Sequence, residues 1–217
     1  MPDPFASLIA DARAFLGQLA QNNDRDWFKA HKAHYESHLR GPALLMLDQV
    51  AHDLGRVSGQ SLTPKLFRPH RDVRFSKDKT PYHPHLHMMW MIGAKATARP
   101  ALFLGIDAGS VRIGGGIMSF DKPGLIHWRE AVDGRFGDAM QGILDDLAAL
   151  GLTPNDPPLK RVPAPYAKDH RHGPLLRRKG MAVWRDLKPA EYKTPQAAVA
   201  NLFETLHPMQ KLMHEAL

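Results

Sequence analysis

Hydrophobic positions recur every three or four residues through the first 60 residues of the chain, which is the spacing of amphipathic helices. Asp3 and Pro4 predict the start of a first helix, because an Asp cap followed by proline suits the first helical turn. Asp24 is expected to cap a second helix, and Gly41-Pro42 is expected to end it before a third. The sequence therefore predicts an N-terminal three-helix segment.

Short apolar runs with the spacing of β-strands follow from about residue 65. Four strands are predicted, within LFRPHRDVRFS, HPHLHMMWMIG, PALFLGIDA and SVRIGGGI. The links between them are too short for parallel crossovers, so we expect an antiparallel meander. Gly114, Gly115 and Gly116 indicate a bulge or a close approach of another backbone at the end of the fourth run.

Helical spacing returns in the second half of the chain. Helices are predicted over residues 124–133 and 136–150, and a last helix is predicted to begin near Pro195 and to be interrupted at Pro208. A proline-rich connector, TPNDPPLKRVPAPY, leads from the second of these helices into a basic segment. The order of elements predicts an α+β fold, a central antiparallel sheet packed with helices, in a single domain over residues 1–217.

The composition is that of an ordinary globular protein. Of the 217 residues, 43% are hydrophobic and 24% are charged, which indicates neither disorder nor a fibrous class. No apolar run reaches the roughly 18 residues that cross a bilayer, and the first residues lack a basic signal region. The chain has no cysteine, which excludes disulfides and thiolate metal sites and fits a reducing compartment. We expect a cytoplasmic protein without a membrane partner.

The positive charge is concentrated in two segments of the chain. The formal net charge is +7, and residues 61–100 carry eight basic and two acidic side chains, while residues 158–193 carry ten and three. If folding brings the two segments together, they form one basic cleft that concentrates anions from solution. Two unrelated solvated surfaces are the alternative.

The densest group of charges is RPHRDVRFSKDKTPY, residues 68–82. On a strand, Val73 and Phe75 would face the core together with Arg71, which must then be paired or lie at the edge of the core. Two carboxylates do not neutralise the five cations of this segment, and a guanidinium matches phosphate or carboxylate at two points. We therefore expect an anionic small molecule as the ligand. The predicted binding residues are Arg68, Arg71, Asp72, Arg74, Lys77, Lys79, Tyr82, His85, Lys160 and Arg161.

Two other interpretations of residues 68–82 stay open. Carboxylates from elsewhere, such as Asp107, Asp121 or Glu130, could complete a charge network that serves folding alone. A nucleic-acid-binding module would use the basic side chains for phosphate contacts and aromatic rings for base stacking, although Phe75 is expected to face the core. The anion-binding interpretation is preferred because the cations are in excess.

Three histidines alternate at positions 83, 85 and 87 and would share one face of a strand. A pair at this spacing can chelate a metal ion, but no complete ligand set is recognisable and the nearby Arg and Lys disfavour a dication. Neither a metal nor a cofactor is predicted. Acid–base catalysis by Asp72 with His85 or Tyr82 would need these side chains to be close, so the sequence does not decide between an enzyme and a binding protein.

The charged segment resembles the signature of an uncharacterised bacterial family, domain of unknown function 2461. That signature is close to RxxRDxRFxxDKxxY and is matched here by Arg68, Arg71, Asp72, Arg74, Phe75, Asp78, Lys79 and Tyr82. The stretches FLGQLAQNNDRDWFKAHKAHYE, GGGIMSFDKPGLIHWREAV and LLRRKG also look like the family, so the resemblance covers nearly the whole chain. His83 and Ala164-Pro165 depart from it, where lysine and Lys-Gly are typical. The resemblance implies a single α+β domain and supplies no activity.

Overall fold

The computed structural model describes residues 5–93 and 99–216. The helices are α1 (Leu8–Gln21), α2 (Arg25–His34), α3 (Gly41–Ser58), α4 (Lys122–Val132), α5 (Arg135–Ala149), α6 (Gly173–Leu176), α7 (Pro195–Thr205) and α8 (His207–Ala216), with a π-helical turn at Tyr35–Arg40 and a 3-10 helix at Pro189–Lys193. The strands are β1 (Leu62–Leu66), β2 (His85–Ile92), β3 (Ala101–Asp107), β4 (Val111–Ile117), β5 (Thr153–Pro154) and β6 (Met181–Asp186). They form one antiparallel sheet in the order β1-β2-β3-β4-β6-β5, which confirms the α+β prediction.

The first four strands follow one another in the sheet, as expected for a meander. β5 and β6 extend the sheet beyond β4 and differ from the prediction, which placed no strand in the proline-rich connector or in the basic segment. β6 has the alternation of a half-buried strand, because Met181 and Val183 are buried and their neighbours are partly exposed. The many Lys and Arg residues around this short element hide that alternation in the sequence.

The chain forms two compact units. Unit 1 comprises Met1–Gly93, Phe103–Ile113 and Asp186–Asn201, and unit 2 comprises Ala94–Leu102, Gly114–Arg185 and Leu202–Leu217. α1, α2, α3, β1 and β2 belong to unit 1, whereas α4, α5, α6 and α8 belong to unit 2. The single domain over residues 1–217 stays a prediction.

The N-terminal helices supply much of the core of unit 1. The apolar positions that the helical spacing predicts are buried, namely Phe5, Leu8, Ile9, Ala12, Leu16 and Leu19. The predicted helix start at Asp3 and Pro4 lies outside the described residues, and α1 begins at Leu8. Asp24 caps α2 as predicted, since its Oδ1 accepts a hydrogen bond from Trp27 N at 2.8 Å.

The predicted helix break at Gly41-Pro42 is wrong. The π-helical turn joins α2 directly to α3, so the helical backbone is continuous over residues 25–58. The amide of Gly41 donates to the carbonyl of Glu36, five residues earlier rather than four. A proline ring clashes with the preceding turn of a regular α-helix, and the wider π turn makes room for Pro42.

The predicted strand over residues 68–76 is also wrong. Residues 67–84, here called the charged loop, form two arms that are joined by a single antiparallel bridge between His70 and Tyr82. Phe75, expected to face the core, is 96% exposed, and Val73 is only partly buried. The alternation of Arg71, Val73 and Phe75 therefore does not mark a strand face.

Aspartate side chains bend the backbone of the charged loop. Asp72 Oδ1 accepts from the amide of Arg74 at 3.2 Å, and Asp78 Oδ1 accepts from the amide of Thr80 at 2.9 Å. Aspartate commonly forms such turns with the amide two residues further on. These local hydrogen bonds compete with the ladder of a strand, which explains why the segment is not extended.

The glycine run of β4 is a close backbone approach, one of the two interpretations of its sequence. β4 and β6 are neighbours in the sheet, and a Cβ added at Gly114 would lie 2.4 Å from Val183 O. One added at Gly116, whose φ is +128°, would lie 2.2 Å from Met181 O. Side chains at these positions are sterically excluded.

Unit 2 is built around α4, α5 and α8. α5 contacts both of the other helices, and Trp128 of α4 is fully buried, with its Nε1 donating to Leu175 O at 3.1 Å. The predicted interruption near Pro208 is confirmed, because α7 ends at Thr205 and α8 begins at His207. Within residues 5–93 and 99–216, no helix combines the length and the apolar character that a membrane span requires.

Candidate functional site

Tyr82 and Asn23 fix the base of the charged loop. The ring of Tyr82 is 5% exposed and stacks on Phe28 of α2 with a centroid distance of 4.1 Å. Asn23, between α1 and α2, holds the backbone of Tyr82, since its Nδ2 donates to Tyr82 O at 2.9 Å and its Oδ1 accepts from Tyr82 N at 3.1 Å. The predicted ligand residue Tyr82 thus has its ring in the core, where it positions the loop.

Arg71 is paired inside the charged loop. Its Nη1 donates to Asp78 Oδ2 at 2.5 Å, and also to the carbonyl and the hydroxyl oxygen of Thr80. The amide of Thr80, the guanidinium of Arg71 and the hydroxyl of Thr80 lower the pKa of Asp78 to about 2. Arg71 is paired, which is one of the two outcomes expected for it, although residues 68–76 do not form the strand on which that expectation rested; its partner lies only seven residues along the chain.

Asp72 and Arg74 form a second ion pair at the surface. Nε of Arg74 lies 2.9 Å from Asp72 Oδ1, and Nη2 lies 2.6 Å from Oδ2, which is the two-point geometry of a guanidinium with a carboxylate. The hydrogen bond from the Arg74 side chain is the main cause of the lowered pKa of Asp72. A carboxylate with a lowered pKa and a bound guanidinium is a poor general base, which argues against the catalytic interpretation of Asp72.

Three cations of the charged loop have no carboxylate partner. Among the described residues, neither Arg68 nor Lys77 makes a side-chain hydrogen bond or an ion pair, and both are exposed. Lys79 donates from Nζ to the carbonyl of Val73 at 3.0 Å, so its charge is also not neutralised by a carboxylate. Since Asp72 and Asp78 are used by Arg74 and Arg71, the loop retains a local excess of three positive charges.

The exposed tip of the loop combines an aromatic ring with basic side chains. Phe75 is 96% exposed, and Cζ of Arg74 lies 5.9 Å from the centroid of its ring. Lys77 follows two residues later in the sequence and is exposed. Exposure of so large an apolar side chain next to cations is a common feature of surfaces that contact other molecules.

The three alternating histidines lie side by side at the start of β2. The ring of His85 stacks on His87 with a centroid distance of 3.7 Å, and on His83 with one of 4.8 Å. Burial lowers the pKa of His85 to about 4, and repulsion from the neighbouring imidazoles adds to this shift. Within the described part of the chain, no three His, Asp or Glu residues are grouped so that they could hold a metal ion.

The histidine stack predicts a specific dependence of stability on pH. The pKa of His85 lies below its ordinary value of 6.5, so the unfolded chain takes up a proton before the folded chain does. The free energy of unfolding should therefore be highest above pH 6.5 and should fall as the pH drops toward about 4. Thermal melting across this pH range should show that the melting temperature of His85→Gln falls less than that of wild type.

The control for this experiment is His127→Gln, which changes an exposed histidine of α4. Burial also lowers the pKa of His83 and His87, so His85→Gln should reduce the pH dependence without abolishing it. If His85→Gln and His127→Gln follow the same pH curve as wild type, the stack does not control stability.

The other predicted residues of the site are distributed over both units. His85 belongs to unit 1, together with the charged loop, whereas Lys160 and Arg161 belong to unit 2 and are exposed. That the two basic segments form one cleft stays a prediction.

Two of the three carboxylates suggested for a wider structural network, Asp107 and Asp121, have other partners. Asp107 accepts hydrogen bonds from the amides of Gly109 and Ser110 in the β3–β4 turn, at 2.7 and 2.6 Å. Asp121 caps α4 by accepting from the amide of Gly124 at 2.8 Å. The ion pairs of the charged loop are therefore made with its own aspartates.

Unit 2 contains two His–Asp pairs that the sequence reasoning did not single out. Nε2 of His170 lies 2.9 Å from Asp133 Oδ1, and Nε2 of His172 lies 3.0 Å from Asp138 Oδ1. Nδ1 of His170 accepts from the amide of His172, so Nε2 carries the proton that is donated to Asp133. Both ring nitrogens of His170 are used in hydrogen bonds, which suits a structural role in joining residues 170–172 to Asp133. In the sequence, these pairs are indicated only by the two histidines of His170-Arg171-His172.

Comparison with known families identifies the chain over nearly its full length. Residues 11–214 match the family described as conserved hypothetical protein (DUF2461). The matched range includes the charged loop of unit 1 and the His–Asp pairs of unit 2. Comparison with curated proteins gave no match. Because the family match covers well over half of the chain, the protein belongs to the DUF2461 family of conserved hypothetical proteins.

Proposed function

We propose that the protein binds an anionic ligand, one that carries phosphate or carboxylate groups, at the charged loop of unit 1. The observation that carries this proposal is the excess of cations that remains after the loop has folded. Arg71 and Arg74 are paired with Asp78 and Asp72, yet Arg68, Lys77 and Lys79 form no ion pair with a carboxylate of the described residues, although Asp72 attracts Arg68 at longer range. An anion would relieve the repulsion among these cations.

The two kinds of cation have different roles in this proposal. The ion pairs of Arg71 and Arg74 hold the loop in shape, while Arg68 offers a planar fork and Lys77 a mobile point charge to the ligand. Asn23 and Tyr82 restrain the base of the loop, so part of the ordering cost is met before the ligand binds. Since Arg68 and Lys77 are exposed, binding should weaken as salt is added.

The proposal predicts that Arg68→Ala/Lys77→Ala weakens binding of inorganic pyrophosphate and of citrate. Charge-assisted hydrogen bonds contribute about 1.5 kcal/mol or more, so losing even one should lower the affinity about tenfold. Isothermal titration calorimetry at low ionic strength measures this change. The matched control is Arg25→Ala/Lys32→Ala, which removes the same two residue types from exposed positions of α2. Equal affinities of the two double variants would rule out the charged loop as the site.

A second candidate ligand is single-stranded nucleic acid, and the exposure of Phe75 favours it. A core-facing Phe75 was the structural objection to this function, and the ring is instead 96% exposed beside Arg74. Single-stranded nucleic acids bind to surfaces where cations follow the backbone and aromatic rings stack with bases. The tip of the charged loop offers both groups.

Phe75→Ala should weaken binding of a single-stranded oligonucleotide by about 5- to 150-fold, because stacking of one base contributes about 1–3 kcal/mol. Fluorescence anisotropy at two salt concentrations measures it, with Leu45→Ala as control, since Leu45 is an apolar residue of α3 that is 66% exposed. A loss that is confined to Phe75→Ala supports nucleic-acid binding. Identical affinities of the two variants would exclude base stacking at this ring.

A further inference from the structure

Unit 2 contains a pocket at the start of β6 that the proposed function does not use. Its volume is about 170 Å³, and every residue that lines it belongs to unit 2. Its lining includes Asp156 and Pro158 from the loop after β5, together with Arg178, Lys179 and Trp184. The pocket thus combines charged groups with an apolar surface, and its volume suits only a small ligand.

Arg178 is the unusual group of this pocket. The residue is only 9% exposed, and within the described residues its guanidinium makes one hydrogen bond, from Nη1 to the carbonyl of Asn155 at 2.7 Å. Its Nε is buried without a hydrogen-bond partner, and none of the described carboxylates lies within ion-pair distance of the guanidinium. Burial lowers the pKa of Arg178, and the negative charge of Asp156 opposes this shift without forming an ion pair. A buried guanidinium with one neutral partner is costly, and an anion would offset that cost.

The net charge of the pocket lining indicates whether a monoanion or a dianion fits beside Arg178. Arg178 and Lys179 contribute two positive charges and Asp156 contributes one negative charge, so the lining carries a net charge of one. A carboxylate has one negative charge and two oxygens for a guanidinium fork, which suits this balance better than a phosphate dianion.

The remaining lining is apolar and can hold the body of such a ligand. Trp184 of β6 is partly exposed, Met118 is 57% exposed, and Pro158 is a further apolar residue of the lining. An aromatic ring and a thioether are surfaces on which a planar apolar group packs well. We propose that this pocket binds a small monocarboxylate, with the carboxylate on Arg178 and an apolar body against Trp184 and Met118. This site goes beyond the proposed function and involves none of the residues of the charged loop.

The experiment titrates the full chain with benzoate, which has one carboxylate on a planar apolar ring. Benzamide, which has the same shape and no charge, should bind at least tenfold more weakly. Arg178→Met should abolish benzoate binding and still fold, because an apolar side chain of similar length replaces a buried charge. Arg177→Met is the matched control, since Arg177 is the neighbouring arginine, does not line the pocket and should leave the affinity unchanged.

A second variant keeps the test decisive if Arg178→Met fails to fold. Asp156 is exposed and repels an anion in the pocket, so Asp156→Asn should strengthen benzoate binding about threefold or more. Equal binding of benzoate and benzamide, or an affinity for benzoate that Asp156→Asn leaves unchanged or lowers, would overturn the proposal. Neither outcome depends on whether pyrophosphate binds to the charged loop.

Discussion

Replacing Tyr82 with alanine should lower the free energy of unfolding by about 3–5 kcal/mol, the usual cost of removing a large buried aromatic side chain. The ring stacks on Phe28 at 4.1 Å and lies edge-on to His70 at 4.9 Å, so its loss leaves a cavity between α2 and the base of the charged loop. Urea unfolding of wild type and variant measures the difference. The reason is packing, because the contacts with Asn23 are made by the backbone of residue 82.

Two substitutions serve as controls for Tyr82→Ala. Phe75→Ala removes an aromatic ring from the same loop, but that ring is 96% exposed, so its unfolding free energy should change by less than about 0.5 kcal/mol. Tyr82→Phe keeps the stacked ring and should resemble wild type much more closely than Tyr82→Ala does. If Tyr82→Ala and Phe75→Ala have the same stability, Tyr82 does not anchor the loop.

Gly116→Ala should destabilise unit 2 by about 2–6 kcal/mol. The φ of Gly116 is +128°, a conformation that costs other residues about 1–3 kcal/mol, and the new Cβ would lie 2.2 Å from Met181 O and 2.8 Å from Ala182 Cα. Relieving that overlap requires β4 and β6 to separate, for which overpacking typically costs about 1–3 kcal/mol more. Thermal melting and urea unfolding both report this loss.

The matched control replaces another glycine of unit 2, and its expected effect on stability has the opposite sign. Gly142 lies inside α5, and a Cβ added there meets nothing within 4 Å. Gly142→Ala should therefore stabilise the protein by about 0.5–1 kcal/mol, because alanine favours a helix interior over glycine. A Gly116→Ala variant that is as stable as Gly142→Ala would contradict the close contact between β4 and β6.

The regular elements of this fold follow from the sequence where hydrophobic spacing alone decides the structure. α1, α4, α5 and the strands β2, β3 and β4 lie where the apolar periodicity places them. The spacing fails where short-range polar contacts decide instead. The side chains of Asp72 and Asp78 bind nearby amides in the charged loop, and a π turn accommodates Pro42, which the general rule treats as a helix breaker.

The candidate site was predictable in its residue types and not in its pairing. The pairing of Arg71 was expected from a core-facing strand that the chain does not form, and its partner Asp78 is brought close by a turn that the sequence does not reveal. Asn23 has no sequence signal at all, because its role is to hold the backbone of a residue 59 positions away. Arg177 and Arg178 are adjacent and chemically identical, and only the fold decides that Arg178 is the buried one.

We propose that the charged loop is held in shape by its own ion pairs and binds an anion through its remaining cations. A titration of the ¹⁵N-labelled chain with pyrophosphate at low salt, followed by amide chemical shifts, locates the binding site. The amides of residues 67–84 should shift first and saturate together, while those of α2 around Arg25 and Lys32 should not move. Shifts that spread over all basic surfaces, or that leave the charged loop unchanged, would contradict it.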